Sequence, residues 1–161
     1  MRQDQIDLRA PRTGFEWDRL HAIRRTELFD RYHPPNTPDF VPYDADYPDD
    51  RNPANRPLVE LLGDEVVGTC RVDQLPARLA ALRLVAVAPG HRGLGLGAAL
   101  MAGAEKVAAE LGADALCLNA QPEVVAFYGR LGWKPGEWPG RSGSARSMPM
   151  CKPLRPGRCR G

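Results

Sequence analysis

Glycine and arginine are concentrated in one stretch of the chain, where a predicted strand is followed by a predicted helix. The stretch reads His91-Arg92-Gly93-Leu94-Gly95-Leu96-Gly97-Ala98. The first backbone N–H groups of a helix have no partner within the helix, and the helix dipole is positive there. Glycine lets a ligand approach the backbone closely, and an arginine guanidinium offers a fork of donors that suits phosphate oxygens. The stretch therefore predicts an anion site for a phosphate or pyrophosphate group.

The elements on either side of the glycines would position this site. Residues 78–87 end in an apolar, β-branched run that predicts a buried strand, and Pro89-Gly90 breaks it. Apolar or small residues then recur at helical spacing, and Gly112 is a natural stop after them. These recurring residues are Leu96, Leu100, Gly103, Val107 and Leu111.

Two well-known phosphate-binding loops fit the stretch poorly. A Walker loop ends in Gly-Lys-Ser/Thr, whereas this chain has Gly97-Ala98-Ala99. The dinucleotide fingerprint is formally met by Gly93, Gly95 and Ala98. That fingerprint normally follows the first strand of a longer series and has an acidic residue about 20 positions on. Here the next strand ends at Asn119-Ala120 without a carboxylate, which disfavours a nucleotide-dependent oxidoreductase.

A third pattern matches better. The segment from Arg92 to Gly97 reads R-x-x-G-x-G and follows Val85-Ala86-Val87-Ala88-Pro89. It resembles the acetyl-CoA pyrophosphate loop of the GNAT family of N-acetyltransferases. Leu118-Asn119-Ala120-Gln121 and then Phe127-Tyr128-Gly129-Arg130-Leu131-Gly132-Trp133 resemble that family's next strand and the helix that follows it. The matched motifs cover roughly residues 82–133, about a third of the chain.

The resemblance implies transfer of an acetyl group from acetyl-CoA, as co-substrate, to a primary amine without a metal. It implies that backbone N–H groups of the loop hold the pyrophosphate beside Arg92, and that the strand 85–87 pairs with the pantetheine arm. Asn119 would contact the pantetheine amides or the acceptor. The residues expected to bind acetyl-CoA are Val85, Ala86, Val87, Arg92, Gly93, Leu94, Gly95, Gly97, Ala98 and Asn119.

Tyr128 has two interpretations. Helical spacing alone places it in a core stripe with Val124, Phe127 and Leu131. The resemblance instead places it at the family's usual general-acid position. A phenol with a pKa near 10 can donate a proton to a thiolate whose conjugate acid has a pKa of about 8.5. The motif context favours the general acid.

The general base is open at the sequence level. Some members of the family use a glutamate at a strand position that falls on Ala81 here. Glu60, Asp73 and Glu123 remain as candidates, and the sequence does not choose among them. A protein that binds acyl-CoA as a sensor or regulator, without transferring the acyl group, is the alternative function.

Residues 33–57 form a predicted loop rich in proline, aspartate and aromatic residues. Its prolines argue against a regular helix or a central strand. Five aspartates with three aromatic residues suggest an acidic wall that attracts a cationic acceptor amine, and a solvated, variable loop is the alternative. The acceptor would be a small molecule or a peptide. The five aspartates are Asp39, Asp44, Asp46, Asp49 and Asp50.

The remaining pattern predicts an α+β fold in the order strand, helix, loop, three strands, helix, strand, helix, strand. The resemblance implies the same order, with a mixed, mostly antiparallel central sheet flanked by helices and splayed at the acetyl-CoA site. We expect a strand over residues 6–12, a helix from Trp17 to Tyr32 and a hairpin turning at Gly63-Asp64-Glu65. Pro149 suggests an edge position for the last strand. Residues 1–153 are expected to form one domain, and the basic tail 154–161 to be disordered.

Composition limits the remaining functions. Apolar residues make up 43% of the 161 residues and charged residues 26%, which is typical of a globular protein. The net charge of +2 predicts neither nucleic-acid nor membrane binding. Without an N-terminal signal pattern, we expect a cytoplasmic monomer or homodimer. The scattered cysteines and histidines predict no metal site, and Cys70 and Cys117 are expected to be small buried residues within strands.

Overall fold

The computed structural model describes residues 5–91, 93–140 and 146–154. The strands are β1 (Ile6–Arg9), β2 (Asn55–Leu62), β3 (Glu65–Leu75), β4 (Leu79–Val87), β5 (Ala115–Ala120), β6 (Lys134–Pro135) and β7 (Met148–Pro153). The α-helices are α1 (Gly14–Arg24), α2 (Leu96–Glu110) and α3 (Val125–Arg130). A π-helical segment follows α1 at Arg25–Asp30, and two 3₁₀ turns lie at Pro48–Arg51 and Pro122–Val124.

The strands form one seven-stranded sheet in the order β1-β2-β3-β4-β5-β7-β6. β1 with β2, β5 with β7 and β6 with β7 are antiparallel, whereas β4 and β5 are parallel. The β4–β5 register runs from Leu79↔Ala115 to Ala81↔Cys117, and both strands continue beyond these three pairs. The predicted α+β class with a mixed, mostly antiparallel sheet is confirmed.

Two compact units make up the chain, and each has its own core. The first comprises Met1–Arg71 with Leu84–Ala104, and the second comprises Val72–Arg83 with Glu105–Gly161. In the first, α1 packs Leu20 and Ile23 against apolar residues of β2, β3 and β4. In the second, Ala81, Cys117 and Trp138 form a cluster with Leu75 and Cys151 packed against it. The prediction of one domain over residues 1–153 stays a prediction, and the tail from residue 155 onward lies outside the described residues.

The first helix begins earlier than predicted and changes its winding before it ends. The Thr13 hydroxyl accepts a hydrogen bond from the Glu16 N–H at 3.1 Å and caps α1. Glu16 also accepts two bonds from Arg9, each of 2.8 Å, which tie the helix start to β1. Past Arg24 the backbone widens, and the Arg31 N–H donates to the Thr26 carbonyl five residues back.

The turns and helix ends that were predicted from glycine and proline positions are confirmed. The β2–β3 hairpin turns at Gly63 with a φ of +62°, and Gly112 ends the α2 region with a φ of +89°. Pro122 stands at the start of its 3₁₀ turn, and Gly132 follows α3 with a φ of +93°. Cys70 and Cys117 are buried within β3 and β5 as expected, at 0% and 1% exposure.

Two proline-based predictions were wrong in part. Pro57 lies within β2. The register with β1 runs only from Val59 to Leu62, so β1 needs no hydrogen bond from the N–H that proline lacks. β7 is not an edge strand, since it lies between β5 and β6, and Pro149 is in register with Asn119. The short β6 forms that edge instead.

Candidate functional site

The glycine stretch forms a left-handed turn directly before α2. Gly90, Gly93 and Gly95 have φ angles of +87°, +78° and +77°, a region that a residue with a Cβ rarely adopts. α2 begins at Leu96, and the Ala99 N–H donates to the Gly95 carbonyl at 3.1 Å. The turn therefore presents the first N–H groups of a 15-residue helix, with open space around it.

The glycine turn has open space around it. A Cβ added at Gly93 or Gly95 would meet nothing within 4 Å. Leu94 is 47% exposed, Ala98 is exposed, and Gly97 is half-buried in the first turn of α2. Arg92 lies outside the described residues. The described part of the loop is therefore accessible to an anion. Its glycines are needed for their positive φ angles and not for close packing.

β4 contains a break that the sequence did not signal. Leu84 has a φ of +57° in the middle of the strand, a conformation that is uncommon and strained for a branched residue. β-Bulges and left-handed residues within a strand change its direction and often lie beside functional sites. The three residues that follow are Val85, Ala86 and Val87, of which Ala86 is 7% exposed and the two valines are half-buried.

Two other predicted site residues belong to the second unit. Asn119 is in β5, opposite Pro149 of β7. Tyr128 is 7% exposed on α3, and its ring lies 5.3 Å from that of Phe127 and 5.9 Å from that of Trp133. The tyrosine is therefore well packed, and this position is compatible with either interpretation of the sequence.

The three carboxylates left open as general bases have different surroundings. Asp73 accepts a hydrogen bond of 3.0 Å from Arg83, so its charge is already engaged. Glu123 is exposed at the 3₁₀ turn before α3. Glu60 is fully buried, and neither of its carboxyl oxygens has a hydrogen-bond partner among the described residues. Burial raises the pKa of Glu60 to about 7.

Glycine at position 68 makes room for the Glu60 carboxyl. A Cβ there would lie 2.6 Å from Glu60 Oε1 and 3.2 Å from Leu100 of α2. Burial raises the pKa of the Cys70 thiol, and the charge of Glu60 raises it further. The Glu60 carboxyl is therefore buried without a hydrogen-bond partner among the described residues, a setting that favours its neutral form.

We expect Glu60→Gln to remove a pH dependence of stability. The pKa of Glu60 is about 7 in the folded protein and 4.5 ordinarily. Between these two pH values, Glu60 is therefore protonated in the folded protein and ionised in the unfolded chain. The free energy of unfolding should be highest below the ordinary pKa, fall as the pH rises, and level off above the folded-state pKa. The neutral amide should remove this fall. At pH 8 it should be more stable than the parent by about 2 kcal/mol, because the difference between the two pKa values corresponds to about 3 kcal/mol and the unpartnered buried amide offsets part of it.

Urea unfolding at a series of pH values measures the difference. Glu110→Gln is the matched control, because Glu110 is exposed at the end of α2. Parallel stability curves for the parent and Glu60→Gln would contradict the expectation.

Buried ion pairs connect the proline-rich loop to α1 and β3. Asp50, in the 3₁₀ turn of that loop, accepts hydrogen bonds of 2.7 Å from Arg24 of α1 and 3.3 Å from Arg71 of β3. The exposed fractions of the Arg24, Asp50 and Arg71 side chains are 2%, 8% and 5%. Tyr43 of the loop is hydrogen-bonded to His21 of α1. We call Arg24, Asp50 and Arg71 the arginine–aspartate cluster.

The cluster was missed at the sequence level, although one signal was present. Arg24 stands four residues after Leu20 and next to Ile23, on the apolar face of α1. A charge on that face requires a buried partner. Nε and Nη2 of Arg24 are buried without a hydrogen-bond partner among the described residues. The partner carboxylate could not be identified from the sequence, because Asp50 is 26 residues from Arg24 along the chain.

Within the described ranges, the histidine, cysteine, aspartate and glutamate side chains form no group of three or more that could hold a metal ion. Among the same residues, no helix has the length and apolar character needed to cross a membrane.

Comparison with known proteins identifies the family. The profile of the acetyltransferase (GNAT) family matches residues 17–133, well over half of the chain. A segment of 53 residues is 40% identical to YjcF of Bacillus subtilis, described as an uncharacterized N-acetyltransferase, and spans 33% of this chain and 38% of that protein. The match thus covers well under two thirds of YjcF.

Solved structures show the same fold. An aminoglycoside 6'-N-acetyltransferase complexed with coenzyme A superposes with a TM-score of 0.72 over 96% of this chain and 99% of its own, at 18% identity. N-acetylglutamate synthase from Neisseria gonorrhoeae gives a TM-score of 0.74 over 93% of this chain and 35% of its own, at 16% identity. Together with the profile match, the glycine turn before α2 and the sheet order lead to one conclusion: the chain belongs to the GNAT family of acetyltransferases.

Proposed function

We propose that this protein transfers an acetyl group from acetyl-CoA to a primary amine by direct attack, with Tyr128 as the general acid. The observation that carries the proposal is the left-handed glycine turn at the N-terminus of α2. Acetyl-CoA would supply an activated thioester. Two of the solved structures with the same fold are complexed with coenzyme A.

The turn suits the pyrophosphate of such a co-substrate. Its N–H groups are unpartnered within the helix and lie at the positive end of the dipole. Gly93 and Gly95 leave open space in front of the backbone. In this proposal the N–H groups near Gly93, Gly95, Gly97 and Ala98 bind the pyrophosphate, and Arg92 adds a charged contact.

β4 would bind the pantetheine arm. After the left-handed Leu84, the strand continues through Val85–Val87 beyond its three-pair register with β5. Its backbone groups would pair with the pantetheine amides and donate to the acetyl oxygen as negative charge develops there. A donor of this kind contributes about 3 kcal/mol in well-studied hydrolases. Asn119 would contact the pantetheine amides or the acceptor.

Proton transfer needs an acid for the leaving thiolate and a base for the amine. Tyr128 is assigned as the acid. Among the candidate bases, Asp73 is engaged by Arg83, and the buried position of Glu60 keeps it from direct contact with an acceptor. Glu123 is exposed and would act through water. Asp73, Glu123 and solvent therefore remain as candidates for the group that removes the amine proton.

The acceptor is proposed to be a cationic amine. Asp39, Asp44 and Asp46 of the proline-rich loop are exposed, whereas Asp50 is committed to the arginine–aspartate cluster and Asp49 lies 3.8 Å from Arg71. Three exposed carboxylates would still draw a protonated amine toward the loop. A panel of polyamines, aminoglycosides and peptides, assayed for coenzyme A release at low and high ionic strength, would identify the acceptor class.

Gly97→Val is expected to weaken acetyl-CoA binding by about tenfold or more, a loss of about 1.4 kcal/mol, because the new side chain occupies the approach of the pyrophosphate. Gly97 lies within α2 and does not have the positive φ of Gly95, so the substitution avoids backbone strain. Ala102→Val is the matched control at an exposed position of the same helix. Calorimetric titration with acetyl-CoA gives the affinities, and an undiminished affinity of folded Gly97→Val would refute the site.

A second candidate function is acyl-CoA binding without transfer. Ala81 stands where some members of the family have a catalytic glutamate, and it is 0% exposed, packed with Cys117 and Trp138. A protein that binds acetyl-CoA with ordinary affinity but releases no coenzyme A with any amine of the panel would be a sensor of this kind.

A further inference from the structure

Two cysteines face each other across neighbouring strands of the second unit. Cys117 of β5 is in direct register with Cys151 of antiparallel β7. The Cys151 thiol donates toward the Cys117 sulfur across 2.9 Å, and both cysteines are free. Directly opposed residues of an antiparallel pair have Cα atoms about 4.5–5.5 Å apart. Disulfides accept Cα separations of about 4.4–6.8 Å, so a bond could form with the strands in place.

The two thiols differ in access. Cys117 is 1% exposed and packs in a cluster with Trp138, whereas Cys151 is partly exposed. Burial raises the pKa of the Cys117 thiol, and the adjacent Cys151 raises it further. A reagent in solution would therefore meet Cys151 first. This arrangement gives one attacking thiol and one resolving thiol at the same position.

We propose that Cys117 and Cys151 form a reversible disulfide, with a small-molecule disulfide such as oxidised glutathione as the oxidant. The Cys151 thiolate attacks one sulfur of oxidised glutathione, whose S–S bond breaks and releases one glutathione, which takes up a proton. Cys117 then gives up its proton and displaces the second glutathione from Cys151. Two protein thiols are oxidised to one disulfide, and one oxidised glutathione is reduced to two molecules of glutathione.

The disulfide would affect more of the sheet than the two strands that it joins. Cys117 is also the last residue of β5 that pairs with β4, opposite Ala81. Cys117 belongs to the cluster that contains Trp138, and Cys151 packs against it. The Trp138 indole N–H donates to the Leu118 carbonyl at 3.1 Å. Oxidation would therefore fix β5 against β7 at the point where the β4–β5 register ends. The proposal does not depend on acyl transfer.

Mass spectrometry of the whole, unmodified chain tests the proposal. The reduced protein is equilibrated at a series of ratios of oxidised to reduced glutathione, quenched with N-ethylmaleimide in denaturant, and digested with trypsin. Cleavage after Arg158 separates Cys151 from Cys159. We expect a linked pair of peptides that contain Cys117 and Cys151, lighter by two hydrogens than the sum of both. The linked pair should disappear with dithiothreitol.

Two variants serve as controls. Cys159→Ser should leave the linked pair unchanged, whereas Cys151→Ser should abolish it and leave Cys117 unmodified by glutathione. Three results on the parent protein would each overturn the proposal: alkylation of both cysteines at every ratio, a mixed disulfide of Cys151 with glutathione that never resolves, or linkage of Cys151 to Cys159 instead.

Discussion

Tyr128→Phe is expected to lower kcat by about 10²-fold or more, the range for loss of a general acid–base group. The phenylalanine ring keeps the packing against Phe127 and Trp133, so the substitution removes only the hydroxyl. Acetyl-CoA affinity should change little, because the hydroxyl acts on charge that develops in the transition state. Steady-state turnover with an acceptor from the amine panel and calorimetric titration with acetyl-CoA measure the two effects.

Phe127→Leu distinguishes the chemical role from the packing role. It removes the neighbouring ring, leaves the phenol in place, and should lower the melting temperature with turnover within a few-fold of the parent. If Tyr128→Phe behaves in the same way, with altered stability and nearly unchanged turnover, the general-acid assignment is wrong. The acetyl-CoA site would stand independently of that result.

Asp50→Asn is expected to lower the free energy of unfolding by about 3–5 kcal/mol, the usual cost of removing one partner from a buried ion pair. Both Arg24 and Arg71 donate to this carboxylate, and two nitrogen atoms of Arg24, Nε and Nη2, are already buried without partners among the described residues. Burial opposes ionisation of Asp50, but its bonds to the two arginines hold its pKa below the ordinary value. Its contribution to stability is therefore present at neutral pH and lost in acid.

Asp49→Asn provides a matched control one residue away. The Asp49 carboxylate lies 3.8 Å from Arg71 and is 50% exposed, so its loss should cost less than about 1 kcal/mol. Urea unfolding of both variants at neutral pH and at low pH compares the two sites. Equal and small losses would show that the arginine–aspartate cluster contributes little to stability.

The parts of the fold that depend on neighbouring residues could be predicted from the sequence. Gly63 and Gly112 marked chain reversals because their φ angles exclude most other residues. The apolar run of residues 78–87 predicted β4, and the glycine stretch predicted the start of α2. Each of these predictions depends on backbone sterics or hydrophobic periodicity over a short segment.

Features that depend on distant partners could not be predicted. Gly103 and Val107 recur at helical spacing with Leu96 and Leu100 in α2. The fully buried residues beside those two leucines are instead Met101, Ala104 and Ala108. The left-handed Leu84 has no glycine to signal it. Asp50 could not be separated from the exposed aspartates of its loop, because its partners Arg24 and Arg71 come from elsewhere in the chain.

The π-helical segment after α1 bears on how this chain should be aligned with its relatives. A turn closed by a bond from residue i+5 to residue i holds one residue more than an α-helical turn. In evolutionary terms, such a turn is what a single-residue insertion leaves behind when both flanks of a helix keep their packing. Relatives with an uninterrupted α-helix should therefore align across Arg25–Asp30 with a gap of one residue. Leu28 and the residues beyond it would otherwise be compared one position out of phase.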